Sequence, residues 1–175
     1  MSSVTDTVRV RAGRPEDDAA LSTLDRTAWS SKSGFPSTFS TGDPSSFFSE
    51  ANPSDVHLVA ELDGRVVGYL RFRPPTDLPE NAHVLAVHGL AVAADARGRG
   101  VATALMRELV RVAGERGVCK LTLRVLSTNE PARRLYEKEG YAIEGTLVDE
   151  FLVDGVFVDD LILARHLGDA LDTTS

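Results

Sequence analysis

The stretch RGRGVA, at Arg97–Ala102, decides the fold of this chain. It joins an apolar run, Val84–Val92, to a segment whose apolar residues recur at helical spacing from Val101 onward. Two glycines permit backbone conformations and a close approach that a β-carbon blocks. The N–H groups of the turn and of the helix start then point at one spot, where the helix dipole adds positive charge. The stretch therefore predicts a site for a phosphate group.

Two other phosphate-binding motifs fit this stretch poorly. A Walker-type loop requires Gly-Lys-Ser/Thr, but Gly100 is followed by Val101. A dinucleotide-binding GxGxxG requires glycine at the position of Thr103, together with a parallel sheet. An ordinary glycine-rich turn remains an alternative, because an RGRG string alone is weak evidence.

The segments on either side of this turn have clear signals. The run Val84–Val92 is almost continuously apolar, which is typical of a strand buried on both faces. From Val101 to Arg116 a helix is expected, and Gly117 ends it. Its predicted buried stripe consists of Val101, Leu105, Leu109 and Val112.

Elsewhere the chain alternates strand and helix patterns. A helix is expected from Arg14 to about Trp29, and a short one from Pro44 to about Ala51 with Asp43 as its cap. Asp63-Gly64 and Asp154-Gly155 predict tight hairpin turns. The expected strands are Val8–Ala12, Val56–Leu62, Arg65–Arg73, Lys120–Leu126, Tyr141–Leu152 and Val156–Arg165, and a further helix covers Asn129–Glu139. This order indicates an α/β fold with a mixed sheet and helices on both faces.

Length and composition narrow the class of protein. The 175 residues suit a single domain over 1–167 with a polar tail at 168–175. A net charge of −7 disfavours nucleic acid as a partner, since phosphate binding needs a basic face.

No apolar run approaches the ~20 residues of a membrane span, and Met1–Arg14 lacks the apolar core of a secretory signal, so a cytoplasmic protein is expected. The single Cys119 excludes a multi-cysteine metal site, and no metal is expected.

Two motifs together resemble the GNAT (GCN5-related N-acetyltransferase) superfamily. Arg97–Ala102 matches the family pattern Arg/Gln-x-x-Gly-x-Gly/Ala, and Leu90-Ala91-Val92 resembles the strand that enters it. Asn129–Tyr141 is similar to the second signature, Asn-x-x-Ala-x-x-x-Tyr-x-x-x-Gly-Phe/Tyr. One helix and one strand separate the motifs, as in the family. The resemblance covers about Val56–Leu167 and implies a mostly antiparallel mixed sheet whose central strands splay apart.

The resemblance also implies a cosubstrate, acetyl-CoA, and the residues that bind it. Pantetheine would lie in the gap between the splayed strands and pair with main-chain groups of Leu90, Ala91 and Val92. The diphosphate would be held by Arg97, Gly98, Arg99, Gly100, Val101 and Ala102. Asn129 and Tyr136 would line the opposite wall.

The implied reaction is direct attack of an amine on the thioester, and two residues are candidates for its proton transfers. Tyr136 stands where the family places the acid that protonates the departing thiolate. Many members carry a glutamate base on the strand before the turn, but Val84–Val92 has none. His88 lies there instead, as in the arylalkylamine N-acetyltransferases of this family, and imidazole titrates in a suitable range. His83, His57 and a water relay to Asp149 or Glu150 are other routes.

The sequence gives less information about the amine that accepts the acetyl group. The expected partner is a small-molecule or peptide amine, and one inward carboxylate of the last hairpin, Asp159 or Asp160, would anchor its ammonium group. A homodimer is common in the family and is a further expectation. The alternative function is a non-catalytic acyl-CoA-binding sensor on the same fold. A phosphate or nucleotide binder outside the family is the third.

Overall fold

The structure is a computed structural model that describes residues 7–29 and 46–168. The described residues contain three α-helices and seven strands, and the strands are hydrogen-bonded in the order β1-β2-β3-β4-β5-β7-β6. The helices are α1 Asp18–Ala28, α2 Val101–Glu115 and α3 Glu130–Lys138. The strands are β1 Arg9–Ala12, β2 His57–Leu62, β3 Arg65–Arg73, β4 Val84–Val92, β5 Lys120–Leu126, β6 Ala142–Val153 and β7 Val156–His166.

The sheet is mixed, as the sequence predicts. β4 and β5 run parallel, whereas β1 with β2, β2 with β3, β5 with β7 and β6 with β7 are antiparallel. Both hairpins turn at the expected Asp-Gly pairs. Asp63 and Gly64 have φ of 52° and 77°, and Asp154 and Gly155 have φ of 50° and 79°. These are the left-handed conformations that a tight two-residue turn requires.

The described residues divide into two compact units. The first contains β1, α1, β2, β3 to Arg71, β4 from Gly89 and α2 to Glu108. The second contains the start of β4, the rest of α2 and all of β5, α3, β6 and β7. Strand β4 and helix α2 therefore pass from one unit to the other.

Helices cover both faces of the sheet within the first unit. A β-carbon at Gly68 of β3 would lie 3.0 Å from Val101 Cγ1 and 3.4 Å from Leu105 Cδ1, so α2 packs on that face. The neighbouring Tyr69 points to the opposite face, where its hydroxyl donates to Asp25 Oδ1 of α1 at 2.5 Å. Adjacent residues of one strand thus identify the two helical layers.

In the second unit, the ladder between the two parallel strands is short. It runs from Val84↔Lys120 to Val87↔Leu123, although β5 continues to Leu126 and stays paired with β7 over its whole length. Leu121, Leu123 and Val125 are all buried, as their alternation predicts. The early end of the β4–β5 ladder agrees with the splayed central strands that the resemblance implies.

The helix predicted from Pro44 to Ala51 is wrong over the residues that are described; Asp43 and Pro44 lie outside them. Residues 46–51 form an irregular segment with a bridge between Ser49 and Asn52. The cause is a long-range contact. The N–H groups of Phe47 and Phe48 and the hydroxyl of Ser46 all donate to Oδ1 of Asp18, at 3.1, 2.8 and 3.0 Å. These contacts orient the two backbone N–H groups toward α1.

Aromatic rings of this irregular segment pack against the sheet. Phe47 is buried and its ring lies 5.0 Å from that of Tyr69 and 5.2 Å from that of His57. His57 is 1% exposed, and its Nδ1–H donates to the carbonyl of Pro53 at 2.9 Å. Burial lowers the pKa of His57 to about 4, so the imidazole is neutral near pH 7.

We expect this burial to make the protein sensitive to acid. The unfolded chain binds a proton at His57 near pH 6.5, but the folded chain binds it only near pH 4. Stability is therefore fully present above pH 6.5 and falls by about 3 kcal/mol as the pH drops to 4. Urea unfolding at several pH values should show this loss, and His57→Phe should remove most of it. An unchanged pH dependence in that variant would contradict the prediction, and His166→Gln, at an exposed position, is the control.

Candidate active site

The turn between β4 and α2 has the geometry that the sequence predicts for an anion site. Gly98 and Gly100 have φ of 73° and 79°. The first hydrogen bond of α2 runs from Ala104 N–H to the carbonyl of Gly100 at 2.9 Å, so the preceding N–H groups have no acceptor in the helix. Residues 97–100 are exposed, and a β-carbon at either glycine would meet nothing within 4 Å. The exposed main-chain N–H groups of this turn and of the start of α2 suit a diphosphate.

Arg97 has a different role from the one that its charge suggests. Its Nε–H donates to the carbonyl of Val92 at 3.4 Å, and its Nη2 donates to the carbonyl of Ala28 at 3.2 Å. Ala28 is the last residue of α1, where the dipole favours a cation. The guanidinium thus ties the turn to the end of β4 and to the end of α1. These contacts explain how the turn is positioned.

Gly68 is a residue that sequence reasoning missed. A β-carbon there would lie 3.0 Å from the carbonyl oxygen of Ala91 and 3.0 Å from Val101 Cγ1. β3 therefore packs closely against β4 and the start of α2 here, and a β-carbon at this position would push its neighbours aside by a few tenths of an ångström. Nothing in the local sequence singles it out, because a glycine within a strand pattern is compatible with several roles.

The prediction that Val84–Val92 is buried on both faces is wrong for most of the strand. Val84 and Leu85 are buried, but Leu90 and Val92 are only partly buried and His88 is exposed. The pairing with β5 ends at Val87, so the later residues lack a β5 neighbour in the ladder. His88 is consequently not a packed core residue, and its imidazole can meet solvent or substrate.

Tyr136 is buried on α3, where it is 8% exposed. Burial raises the pKa of its hydroxyl to about 12, so the group keeps its proton at neutral pH. Its ring centroid lies 6.0 Å from that of Tyr141, whose buried hydroxyl has no hydrogen-bond partner among the described residues. Burial also raises the pKa of Tyr141. The second unit thus holds two neighbouring protonated phenols.

Asn129 has a structural role that is visible directly. Its Oδ1 accepts the N–H of Ala132 at 3.3 Å, which makes it the N-cap of α3. Pro131 occupies the first turn and Gly140 follows the helix with φ of 87°. The cap fixes the start of the helix that carries Tyr136.

The acids of the last hairpin are engaged within the second unit. Asp160 is 3% exposed and binds the guanidinium of Arg124, which also contacts Glu150 at 3.3 Å. Asp159 Oδ1 accepts the N–H of Asp149 at 2.8 Å. Asp160 is therefore the inward carboxylate, but its charge is already balanced by an arginine. This weakens its candidacy as an anchor for an ammonium group.

Within residues 7–29 and 46–168, no cluster of three or more His, Cys, Asp or Glu side chains is arranged to hold a metal ion. None of the helices in this part of the chain is both long and apolar enough to span a bilayer.

Comparisons with known proteins converge on one family. The profile of the acetyltransferase (GNAT) family matches residues 23–141. An L-amino acid N-acetyltransferase of Escherichia coli is 39% identical over 114 residues, which cover 65% of this chain and 69% of that protein. The ribosomal-protein-S18-alanine N-acetyltransferase of Escherichia coli has a similar structure, with a TM-score of 0.75 at 19% identity and coverage of 97% and 99%. The yncA protein of Salmonella typhimurium, solved with acetyl-CoA, has a TM-score of 0.72 at 16% identity and coverage of 93% and 95%.

Proposed function

Since the chain belongs to the acetyltransferase (GNAT) family and is an acetyl-CoA-dependent N-acetyltransferase, we propose that it acetylates the α-amine of an L-amino acid. The relative from Escherichia coli, which is named for that acceptor class, supports this choice. The turn at Arg97–Ala102 carries the cosubstrate part of the proposal, because its open N–H groups suit a diphosphate.

In this proposal the first unit binds acetyl-CoA. Arg97–Ala102 holds the diphosphate through main-chain N–H groups, with Arg97 positioning the turn through its bonds to Val92 and Ala28. The main chain of Leu90–Val92 pairs with pantetheine. The partly buried side chains of Leu90 and Val92 offer some apolar surface there. The family resemblance also implies a cosubstrate contact for Asn129, which caps α3.

Acetyl-CoA supplies the acetyl group as a thioester. The amine nitrogen bonds to the carbonyl carbon, the carbon–sulfur bond breaks, and the sulfur leaves with the electron pair. The amine loses one proton and the thiolate gains one, so the products are an amide and a thiol. An α-amino group of pKa about 7.7–8.0 is mostly protonated at neutral pH, so a base must remove this further proton before attack and pass it to solvent.

Two residues carry these proton transfers. Tyr136 donates to the departing sulfur, a role that suits a phenol whose pKa of about 12 keeps it protonated. His88 is the base, since it is exposed on β4, whereas His57 is buried with a pKa of about 4 and Glu150 is paired with Arg124. If His88→Ala retained the acidic limb of the wild-type pH–rate profile, His88 would have no part in the mechanism.

The experiment that tests this function is a turnover assay with acetyl-CoA across a panel of amines. The panel contains the L-amino acids, their D-enantiomers, simple alkylamines and short peptides with free N-termini. We expect the highest kcat/KM with an L-amino acid. A preference for peptides would overturn the proposed acceptor, and tight acetyl-CoA binding without any turnover would favour a sensor.

A further inference from the structure

An exposed arginine lies on β5 just past the point where this strand separates from β4. The ladder between the two strands ends at Val87↔Leu123, and Arg124 is the next residue of β5. Its side chain is 51% exposed, whereas Leu123 and Val125 on either side are buried. Because successive residues of a strand point to opposite faces, Arg124 lies on the face opposite to those two core residues.

Arg124 shares this face with His88. Residues paired across a ladder lie on the same face, and Ala86 is paired with Thr122. Two residues further along, the same row is continued by His88 on β4 and by Arg124 on β5. His88 is exposed as well, and both residues belong to the second unit. The proposed base and a guanidinium therefore occupy neighbouring positions where the two strands separate.

Two carboxylates of the last hairpin hold the guanidinium of Arg124. Its Nε–H donates to Oδ2 of Asp160, and its Nη2 donates to Oε1 of Glu150 at 3.3 Å. Asp160 is 3% exposed, so the Nε side of the group is fixed by a buried partner. A guanidinium has five N–H donors, and among the described residues these two bonds leave the Nη1 side for a further acceptor. Such a fork suits a carboxylate, which accepts two parallel hydrogen bonds.

The charges at this place suit a molecule that carries both signs. Arg124 brings one positive charge, and Asp160 and Glu150 bring two negative ones. A doubly charged phosphate would be repelled by the two acids, and a plain alkylamine would have no group to offer the guanidinium. In an α-amino acid the ammonium group and the carboxylate are attached to the same carbon. They can therefore reach His88 and Arg124 at the same time.

We propose that Arg124 binds the α-carboxylate of the acceptor and thereby places its α-amine against His88. This inference rests on the proposed function, since it takes an L-amino acid as the acceptor. It also gives the inward acid a role. Asp160 orients the arginine and is a positioning residue, while Arg124 makes a free carboxylate a condition for good substrates.

Steady-state kinetics with one L-amino acid and its carboxamide tests the proposal, because the carboxamide keeps the shape but loses the negative charge. We expect the wild type to favour the free acid by about a hundredfold in kcat/KM. Arg124→Gln should lose about a hundredfold with the acid, mainly through KM, and less than about threefold with the carboxamide. Each amine is compared with itself in the wild type, so differences in their intrinsic reactivity cancel. Equal losses for both amines in Arg124→Gln would overturn the proposal.

Lys120→Gln is the matched control. Lys120 lies on the same face of β5, about 13 Å from Arg124, and its Nζ likewise pairs with a glutamate of β6, Glu144, at 2.9 Å. At Lys120, however, β5 is still paired with β4. The control should keep the wild-type preference for the acid. A similar loss of preference in this variant would mean that the charge of the face, and not a contact with Arg124, selects the acceptor.

A second variant keeps the test decisive if Arg124→Gln fails to fold. Removing the arginine leaves the buried carboxylate of Asp160 unpaired, which is costly. In Arg124→Gln/Asp160→Asn the two amides can hydrogen-bond without charge, and the guanidinium is still absent. This double variant should show the same loss of preference for the acid. If it kept the wild-type preference, Arg124 would not be the carboxylate site.

The wild type alone separates this inference from the proposed function. If it acetylates the L-amino acid and the carboxamide equally well, the proposed function stands and the carboxylate site is wrong. If it acetylates other amines but no L-amino acid, the proposed function fails and the carboxylate site fails with it.

Discussion

Replacing Tyr136 by phenylalanine is expected to lower kcat by about a hundredfold or more, the usual contribution of a positioned acid. The hydroxyl is lost from a residue that is 8% exposed, and the ring that packs against Tyr141 remains. The loss of acetyl-CoA affinity should be small beside the loss of kcat, because the ring that would line the cosubstrate wall is kept and the diphosphate contacts are proposed for other residues. Steady-state kinetics together with calorimetric titration of acetyl-CoA separates these two effects.

The matched control is Tyr141→Phe. Tyr141 is 3% exposed and its hydroxyl has no partner in the part of the chain that is described, so the variant removes a buried, unpaired polar group. We expect an unchanged kcat and an equal or higher melting temperature. If both variants lost the same activity, packing between the two rings would explain the effect, and Tyr136 would not be the acid. A wild-type kcat for Tyr136→Phe would also exclude it.

The second large effect concerns the turn at Arg97–Ala102. The double variant Gly98→Ala/Gly100→Ala should raise the dissociation constant of acetyl-CoA by about a hundredfold, since a left-handed conformation costs a non-glycine residue roughly 1–2 kcal/mol. The added methyl groups meet no protein atom within 4 Å, so the fold should tolerate them. If the turn relaxes to avoid positive φ, its N–H groups no longer converge on the diphosphate. Calorimetric titration measures the change.

Gly64→Ala/Gly117→Ala is the control for this variant. These glycines have φ of 77° and 69°, and a β-carbon at either also meets nothing within 4 Å. Gly64 lies in the β2–β3 turn and Gly117 after α2, away from the turn in sequence. The control should lose similar stability but keep its acetyl-CoA affinity. Equal weakening in both double variants would mean that the loss reflects general destabilisation.

Several features were predictable because they depend on neighbouring residues. The two Asp-Gly turns adopt positive φ since short polar or absent side chains tolerate that conformation. β5 runs from Lys120 to Leu126 as its alternation predicts, and α3 lies between Asn129 and Gly140 with the expected cap and stop signals. The family resemblance rested on the same kind of information, namely two motifs at a fixed separation.

Other features depend on contacts between distant parts of the chain. The segment after residue 45 has helix-like signals, but Asp18 of α1 binds the N–H groups of Phe47 and Phe48. The guanidinium of Arg97 reaches carbonyls at Val92 and Ala28, the latter 69 residues away. No local sequence pattern predicts these hydrogen-bond partners, because they depend on which helices and strands lie next to each other in the folded chain.

By itself, the sequence determined the hairpin turns, the glycine-rich turn after β4 and the family, because local φ preferences and residue spacing decide them. Only the tertiary structure decided that β4 leaves its pairing with β5 at Val87, so that His88 is exposed in an apolar strand. It also decided that Gly68 packs closely against Ala91 and Val101 and that Ile143, Leu152 and Phe157 are exposed. The burial of a side chain and the identity of its packing and hydrogen-bond partners depend on which chain segments folding brings together. The order of residues alone does not specify them.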